Sequence, residues 1–266
     1  MHRTLAACAA IAAAGTVASA WFPPGLYGIQ STDDDSGTWV FRIDAQTGEA
    51  TRFAQLSHNT SLVGATFLRG ELYASDVMSF DPLGFYGRIS STGQFSPIHD
   101  QGFDLNWHGL ASSESLGVTW SISQQNDNML VRTDLNGNMT FVGPTGIDGR
   151  GMAYDDTNGI LYAINYADAS LYSVDINTGA STRIGATGIP SDMVGLAFDE
   201  STGTLYLNEG LKTQSLYRVD VTTGEATLIG ANGFGMIDGL AWIPSPSSVA
   251  LLGFGAFAGA RRRRAA

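Results

Sequence analysis

A short run that opens with glycine returns five times along the chain: "GATF" at Gly64, "GLAS" at Gly109, "GMAY" at Gly151, "GLAF" at Gly195 and "GLAW" at Gly239. The spacings are 45, 42, 44 and 44 residues. A fixed period of this size constrains the fold more than any composition does, because each unit has to bury its apolar face against its neighbours. The fullest copy, residues 195 to 230, reads "GLAFDESTGTLYLNEGLKTQSLYRVDVTTGEATLIG". An apolar run, a Ser-Thr-Gly turn, "TLYL", a polar loop, "SLYRVDV", a Thr-Thr-Gly turn and "ATLI" make four short strands. Residues 151 to 185 repeat this order. The third strand recurs at 40–44, 86–90, 130–134, 171–175 and 216–220, each time followed by a turn that carries glycine. That glycine supplies the positive φ of a tight hairpin, and a preceding Asp can accept from the turn's backbone. Apolar spacings of three and four, which a helical repeat would show, are absent. Four strands in about 44 residues are the signature of a β-propeller blade, so the chain reads as all-β.

Ring closure is written in the same repeat. The strands beginning at Leu26, Thr38 and Thr51 match the second, third and fourth of a blade and lack a first, and "GLAW" at the other end supplies it. Five blades follow, the first built from both termini, which hides two edges that would otherwise invite aggregation. Gly and Ala in the first strands are expected where five strands crowd a narrow axis. The recurrent Leu-Tyr of the second strands is expected to fill the space between blades. Arg42, Arg88, Arg132 and Arg218 stand two residues before the Asp or Ser that ends their third strands, an arrangement suited to surface pairing.

The first twenty residues have a basic start, an Ala-rich apolar run and Ala18-Ser19-Ala20, the pattern of a secretory signal cut after Ala20. Leu5-Ala6-Ala7-Cys8 is similar to a lipoprotein box, but only four residues precede it. From Trp21 to Ile243, nine Lys and Arg face 25 Asp and Glu, a net charge of −16, which excludes nucleic acid as a natural partner. The same span holds no cysteine, hence no disulfide and no thiol nucleophile. Three segments result: a signal peptide, 1–20; a propeller, 21–243; and a C-terminal segment, 244–266.

That last segment reads "PSPSSVALLGFGAFAGARRRR" from Pro244 to Arg264. Its uninterrupted apolar run, Val249 to Ala260, reaches about 18 Å as a helix. A hydrocarbon core is about 30 Å thick, so alone the run is a poor permanent span.

No H-E-x-x-H, nucleophile elbow or phosphate-binding loop is present. "GFGMIDG" at Gly233 and "GFGAFAG" at Gly253 carry their third glycine one position late for a dinucleotide loop and open no helix. Site candidates come from propeller geometry instead. Connections from a fourth strand to the next first strand, and from second to third strands, open on one face around the axis. They bring there Asn106, Trp107, His108, Asp148, Arg150, Asp192 and Asp238 as a ligand-binding set, on a face expected to be acidic. Loop aromatics Phe80, Phe103, Tyr166 and Phe234 fall nearby and suit sugar stacking. Carboxylates converging on one axis could also hold Ca²⁺ through Asp148, Asp192 and Asp238, with Asn106 and His108 beside them. Without such convergence no cofactor is expected, and the Asp residues are solvated loop formers.

The repeat carried by Leu171 to Gly179 and Leu216 to Gly224 resembles the bacterial extracytoplasmic propeller repeats of the L-Y-x-V-D-x-x-T-G type. Propellers of that kind host sugar binders, lactonases, quinone enzymes and scaffolds, so the resemblance implies architecture rather than activity. The tail resembles the PEP-CTERM sorting signal: Pro244, Ser245 and Pro246, a short apolar run, then Arg261, Arg262, Arg263 and Arg264. Ser245 stands where that family carries Glu. The resemblance implies an exosortase-type processing enzyme as a partner, arginines held in the cytoplasm, transient inner-membrane anchoring, and delivery to the cell surface or its polysaccharide matrix. Three functions stay open: a binding module for a glycan or protein, a Ca²⁺-dependent lactonase-like hydrolase, and a structural surface protein.

Overall fold

The computed structural model describes residues 22–30, 38–57, 62–76, 86–99, 108–124, 127–192 and 194–245. Twenty strands form five antiparallel four-stranded sheets. The first sheet joins β1 (Gly25–Gln30), β2 (Trp39–Ile43) and β3 (Ala50–Gln55) to the last strand of the chain. The second holds β4 (Leu62–Leu68), β5 (Glu71–Asp76), β6 (Tyr86–Ile89) and β7 (Phe95–His99). The third holds β8 (Ala111–Ser113), β9 (Val118–Ser123), β10 (Met129–Asp134) and β11 (Met139–Pro144). The fourth holds β12 (Gly149–Asp155), β13 (Ile160–Asn165), β14 (Ser170–Val174) and β15 (Ser181–Ala186). The fifth holds β16 (Val194–Asp199), β17 (Thr204–Glu209), β18 (Ser215–Val219) and β19 (Ala226–Ala231), before β20 (Ile237–Ile243) returns to the first. Strand β20 pairs antiparallel with β1, Gly25 opposite Ile243 and Gly28 opposite Leu240, so the termini clasp. The protein is a five-bladed β-propeller.

The glycines that define the repeat explain how five blades close. Four of them sit on inner strands and Gly109 stands two residues before β8, and each leans on the next blade. A Cβ on Gly109 would lie 2.2 Å from the carbonyl oxygen of Arg150, one on Gly151 2.9 Å from that of Val194, and one on Gly195 2.2 Å from that of Asp238. A Cβ on Gly239 would lie 2.9 Å from that of Ala65, and one on Gly64 3.2 Å from the carbonyl carbon of Gly109, which completes the circle. Inner strands can approach this closely only where no side chain intervenes.

Five apolar clusters fill the five spaces between blades. Tyr27, Val40, Leu62 and Leu72 join the first two blades; Tyr73, Tyr86, Leu110 and Val131 the next pair. Trp120, Leu130, Met152 and Leu161 follow, then Tyr162, Leu171, Leu196 and Leu205, and Leu26, Phe41, Leu216 and Leu240 close the ring. Each side chain buried this way contributes roughly 1.5–3 kcal/mol. Two second-strand tyrosines stack on the neighbouring blade's inner strand: Tyr162 on Phe198 and Tyr206 on Trp242, with centroids 6.1 and 5.7 Å apart.

The turn after each third strand follows its sequence reading. Asp44, Asp175 and Asp220 each accept two backbone N–H groups of their turn, at 2.7–3.1 Å. Gly48, Gly179 and Gly224 hold φ at 81°. Those backbone hydrogen bonds keep Asp44 and Asp175 below the usual carboxylate range, while in Asp220 the Thr222 hydroxyl leads. Of the third-strand arginines, Arg88 pairs not with Ser90 but across the sheet with Glu71, at 2.9 Å. Strand order from first to fourth places 1–2 and 3–4 turns on one face, the hairpin face, and 2–3 and 4–1 connections on the other, the loop face.

Candidate functional site

The loop face of blades three to five gathers the predicted residues that the structure describes. Arg150, the second residue of β12, lies at the centre with its side chain 16% exposed. Its Nη1 sits 2.6 Å and 2.9 Å from the two ring nitrogens of His108. A neutral imidazole accepts at only one of them. Burial, reinforced by the Arg150 charge, pushes His108 down to about 3, so the ring is neutral at physiological pH and supplies no counter-charge. Asp148 Oδ2 stands 3.5 Å from Arg150 Nη2, an ion pair too long to be a good hydrogen bond. The other Asp148 oxygen accepts from Gln124. Arg150 Nε is buried with no hydrogen-bond partner among the described residues.

The guanidinium lies over the ring of Tyr166, 4.4 Å from its centroid. Tyr166 belongs to the 2–3 connection of the fourth blade and is 42% exposed. Beyond it Asp192 forms an ion pair with Lys212. Donation from Lys212, its charge, a hydrogen bond from Tyr166 and the Arg150 charge together hold Asp192 below its usual range.

Polar groups beneath the surface set these side chains. Glu209, wholly buried at the end of β17, accepts the backbone N–H groups of Leu211, Lys212 and Thr213 and the Thr213 hydroxyl, which folds the loop that carries Lys212. Asn165, at the same place in the fourth blade, accepts from Asp148 N at 3.1 Å and donates to Asp168 at 2.9 Å. Asp168 is further engaged by the Tyr172 hydroxyl and Arg183. Thr145 and Thr187 close the 4–1 connections, each donating its hydroxyl to the carbonyl before the third strand of its own blade, that of Asn128 and Ala169.

His108, Asp148 and Arg150 therefore meet, and Asp192 joins them through Tyr166. Asp238 does not reach the open cluster: it is 2% exposed, and a Cβ on Gly210 would lie 2.7 Å from its carboxylate. Among the described residues no group of three or more His, Cys, Asp or Glu stands close enough to hold a metal ion, so Asp148, Asp192 and Asp238 form no common cage there. Phe234 packs on Phe41, centroids 4.6 Å apart, rather than facing outward. Asn106 and Trp107 lie outside the described residues, as do Phe80, Phe103, Ala20, Pro246 and Arg261 to Arg264. Among the described residues no helix is long and apolar enough to cross a membrane. Gln124 is the member that the sequence reading passed over. Its signal was positional, since it follows a second strand just as Tyr166 and the Lys212 loop do.

Comparison with known proteins bears on the fold. A family model described as a repeat of unknown function (DUF6923) matches residues 146–233, which span the fourth and fifth blades and include Asp148, Arg150, Tyr166, Asp192 and Lys212. No curated protein matches the sequence. The chain is similar in structure to one in the nidogen/laminin complex, with a TM-score of 0.58 and 16% identity over 83% of this chain and 82% of that one. It is also similar to a structural genomics protein of unknown function from Bacteroides thetaiotaomicron, with a TM-score of 0.55 and 15% identity over 79% of this chain and 58% of that one. At such identities the likeness is one of architecture.

Proposed function

We propose that this propeller is an exported binding module that engages a surface glycan on its loop face and is sorted by its C-terminal segment. The observation that carries the reading is Tyr166, an exposed residue backed by the largely buried Arg150 guanidinium and flanked by Asp148 and Asp192. An aromatic face beside fixed polar groups binds a sugar's apolar face and its hydroxyls together. The direction of the chain fits display. Inner strands start at the loop face, and Ile243 ends β20 opposite Gly25 at the hairpin face, so Pro244 and Ser245 depart from the side away from Tyr166. A tail anchored beyond Ser245, processed near Pro244 and Pro246, would leave the loop face outward.

The test is retention of the full-length protein on polysaccharide from the producing cell's surface. Loss of one stacking ring and its contacts is expected to weaken retention about tenfold in Tyr166→Ala. Equal retention of wild type, Tyr166→Ala and Arg150→Ala, all with native circular dichroism, would remove this face from the function.

A further inference from the structure

We infer that the site at Tyr166 takes a neutral, polyhydroxylated sugar ring, in preference to a uronate or a cationic group. The inference rests on the glycan reading above and names the class of glycan. Four charges alternate in sign through the cluster: Asp148, Arg150, Asp192 and Lys212. A carboxylate placed among them would meet Asp148 and Asp192, and an ammonium would meet Arg150 and Lys212. Either meets a like charge wherever it sits.

A hydroxyl meets no such conflict, because it donates and accepts at once, whereas a carboxylate only accepts and an ammonium only donates. The gap between Arg150 Nη2 and Asp148 Oδ2, 3.5 Å, has that requirement built into it. A hydroxyl at its mouth accepts from the guanidinium and donates to the carboxylate, improving two groups that hold each other poorly. Among the described residues Arg150 has donors to spare, since its good hydrogen bond there goes to a neutral His108. The guanidinium covers one face of Tyr166, and the residue remains 42% exposed, open to the C–H face of a sugar. The net charge of −16 between Trp21 and Ile243 acts in the same direction at longer range, repelling a polyanionic chain before contact.

The experiment applies full-length protein to immobilised dextran, mannan and galactan, to polygalacturonate, to polylysine, and to the cell's own surface polysaccharide. Retention on at least one neutral polymer is expected, unchanged by high salt. It should fall about tenfold or more in Asp148→Asn, which keeps the shape and removes the charged acceptor. Circular dichroism and an unchanged denaturation midpoint keep a loss of binding apart from a loss of fold. Salt-sensitive retention on polygalacturonate or polylysine, with none on the neutral polymers, overturns the neutral-sugar inference. If polygalacturonate is the one bound, the glycan reading still stands. Retention on no polysaccharide at all overturns both.

Discussion

Two sets of acids on opposite faces of the ring are used in opposite ways. On the hairpin face, the 1–2 turns of blades three, four and five each send an acid back to the preceding blade: Glu114 accepts the Arg69 N–H at 2.7 Å, Asp156 accepts from Ser113 and Ser115 at 2.6–3.0 Å, and Glu200 accepts from Asp156 N and the Thr157 hydroxyl at 2.5 and 2.7 Å. These acids border an axial recess of about 70 Å³ together with Pro244. Their oxygens are occupied by donors of the neighbouring blade, so they act as latches. On the loop face, Asp148 and Asp192 face cations, one of them at a distance too long for a hydrogen bond, with an exposed ring between. The lesson is that an acidic group becomes a site candidate through unused hydrogen-bonding capacity around it, not through its charge.

The largest effect should come from what both faces share. Gly195→Ala puts a methyl group 2.2 Å from a backbone oxygen, where only strand displacement relieves the clash. A loss of about 3 kcal/mol is expected, visible in the urea midpoint, with glycan retention falling as the ring loosens. An unchanged midpoint would mean that the inner strands are less tightly closed than described.

Glu200→Ala should separate the faces. Leaving the N–H of Asp156 and the Thr157 hydroxyl without their acceptor costs about 1–2 kcal/mol, and retention should not change. The reciprocal variant, Tyr166→Ala, should stay within about 0.5 kcal/mol of wild type in stability while losing retention. A Glu200→Ala protein that bound less but unfolded no sooner would reverse the assignment of the two faces.

The sharpest check on the site's charge is its pH dependence. His108 is neutral when folded down to about 3 but takes a proton near its ordinary 6.5 when unfolded. Its contribution to stability is therefore complete above 6.5 and drains away as pH falls from 6.5 toward 3. His108→Gln should flatten the denaturation midpoint measured between pH 7 and 4. The lowered Asp44, Asp134, Asp175 and Asp220 add a second loss only as pH drops below the ordinary carboxylate value. Glu114 and Glu200, raised by burial, act with the other sign, their contribution declining as pH rises through their folded value. Glycan retention itself should show no step near pH 6.5, because His108 stays neutral there in the folded site. A midpoint near 6.5 in retention would show His108 titrating in the folded site.

Legibility follows the range of the interactions. Glycine at fixed spacing, the Asp or Ser that caps each third-strand turn and the missing first strand at the N-terminus are local patterns, and each maps onto the structure: the axial ring, the turns at φ 81–84°, the β20–β1 clasp. The recurring Gly-x-Thr/Asn-Gly at residues 143, 185 and 230 was equally open to reading and went unread. Its glycine lies against the next blade's third-strand turn, and the Thr or Asn is the first residue after the fourth strand. The site was legible only as a set of loops. That Arg150 turns to His108 and Tyr166, that Asp148 is shared with Gln124, and that Asp238 is buried under Gly210 depend on side-chain directions at junctions between blades.

By itself, the sequence determined the number of blades, the closure and the place of each turn, because period and backbone conformation are properties of neighbouring residues. Only the tertiary structure decided which acids are latches and which stand in an open cluster. That distinction rests on whether a donor from another blade, some forty residues away in sequence, comes within hydrogen-bond reach.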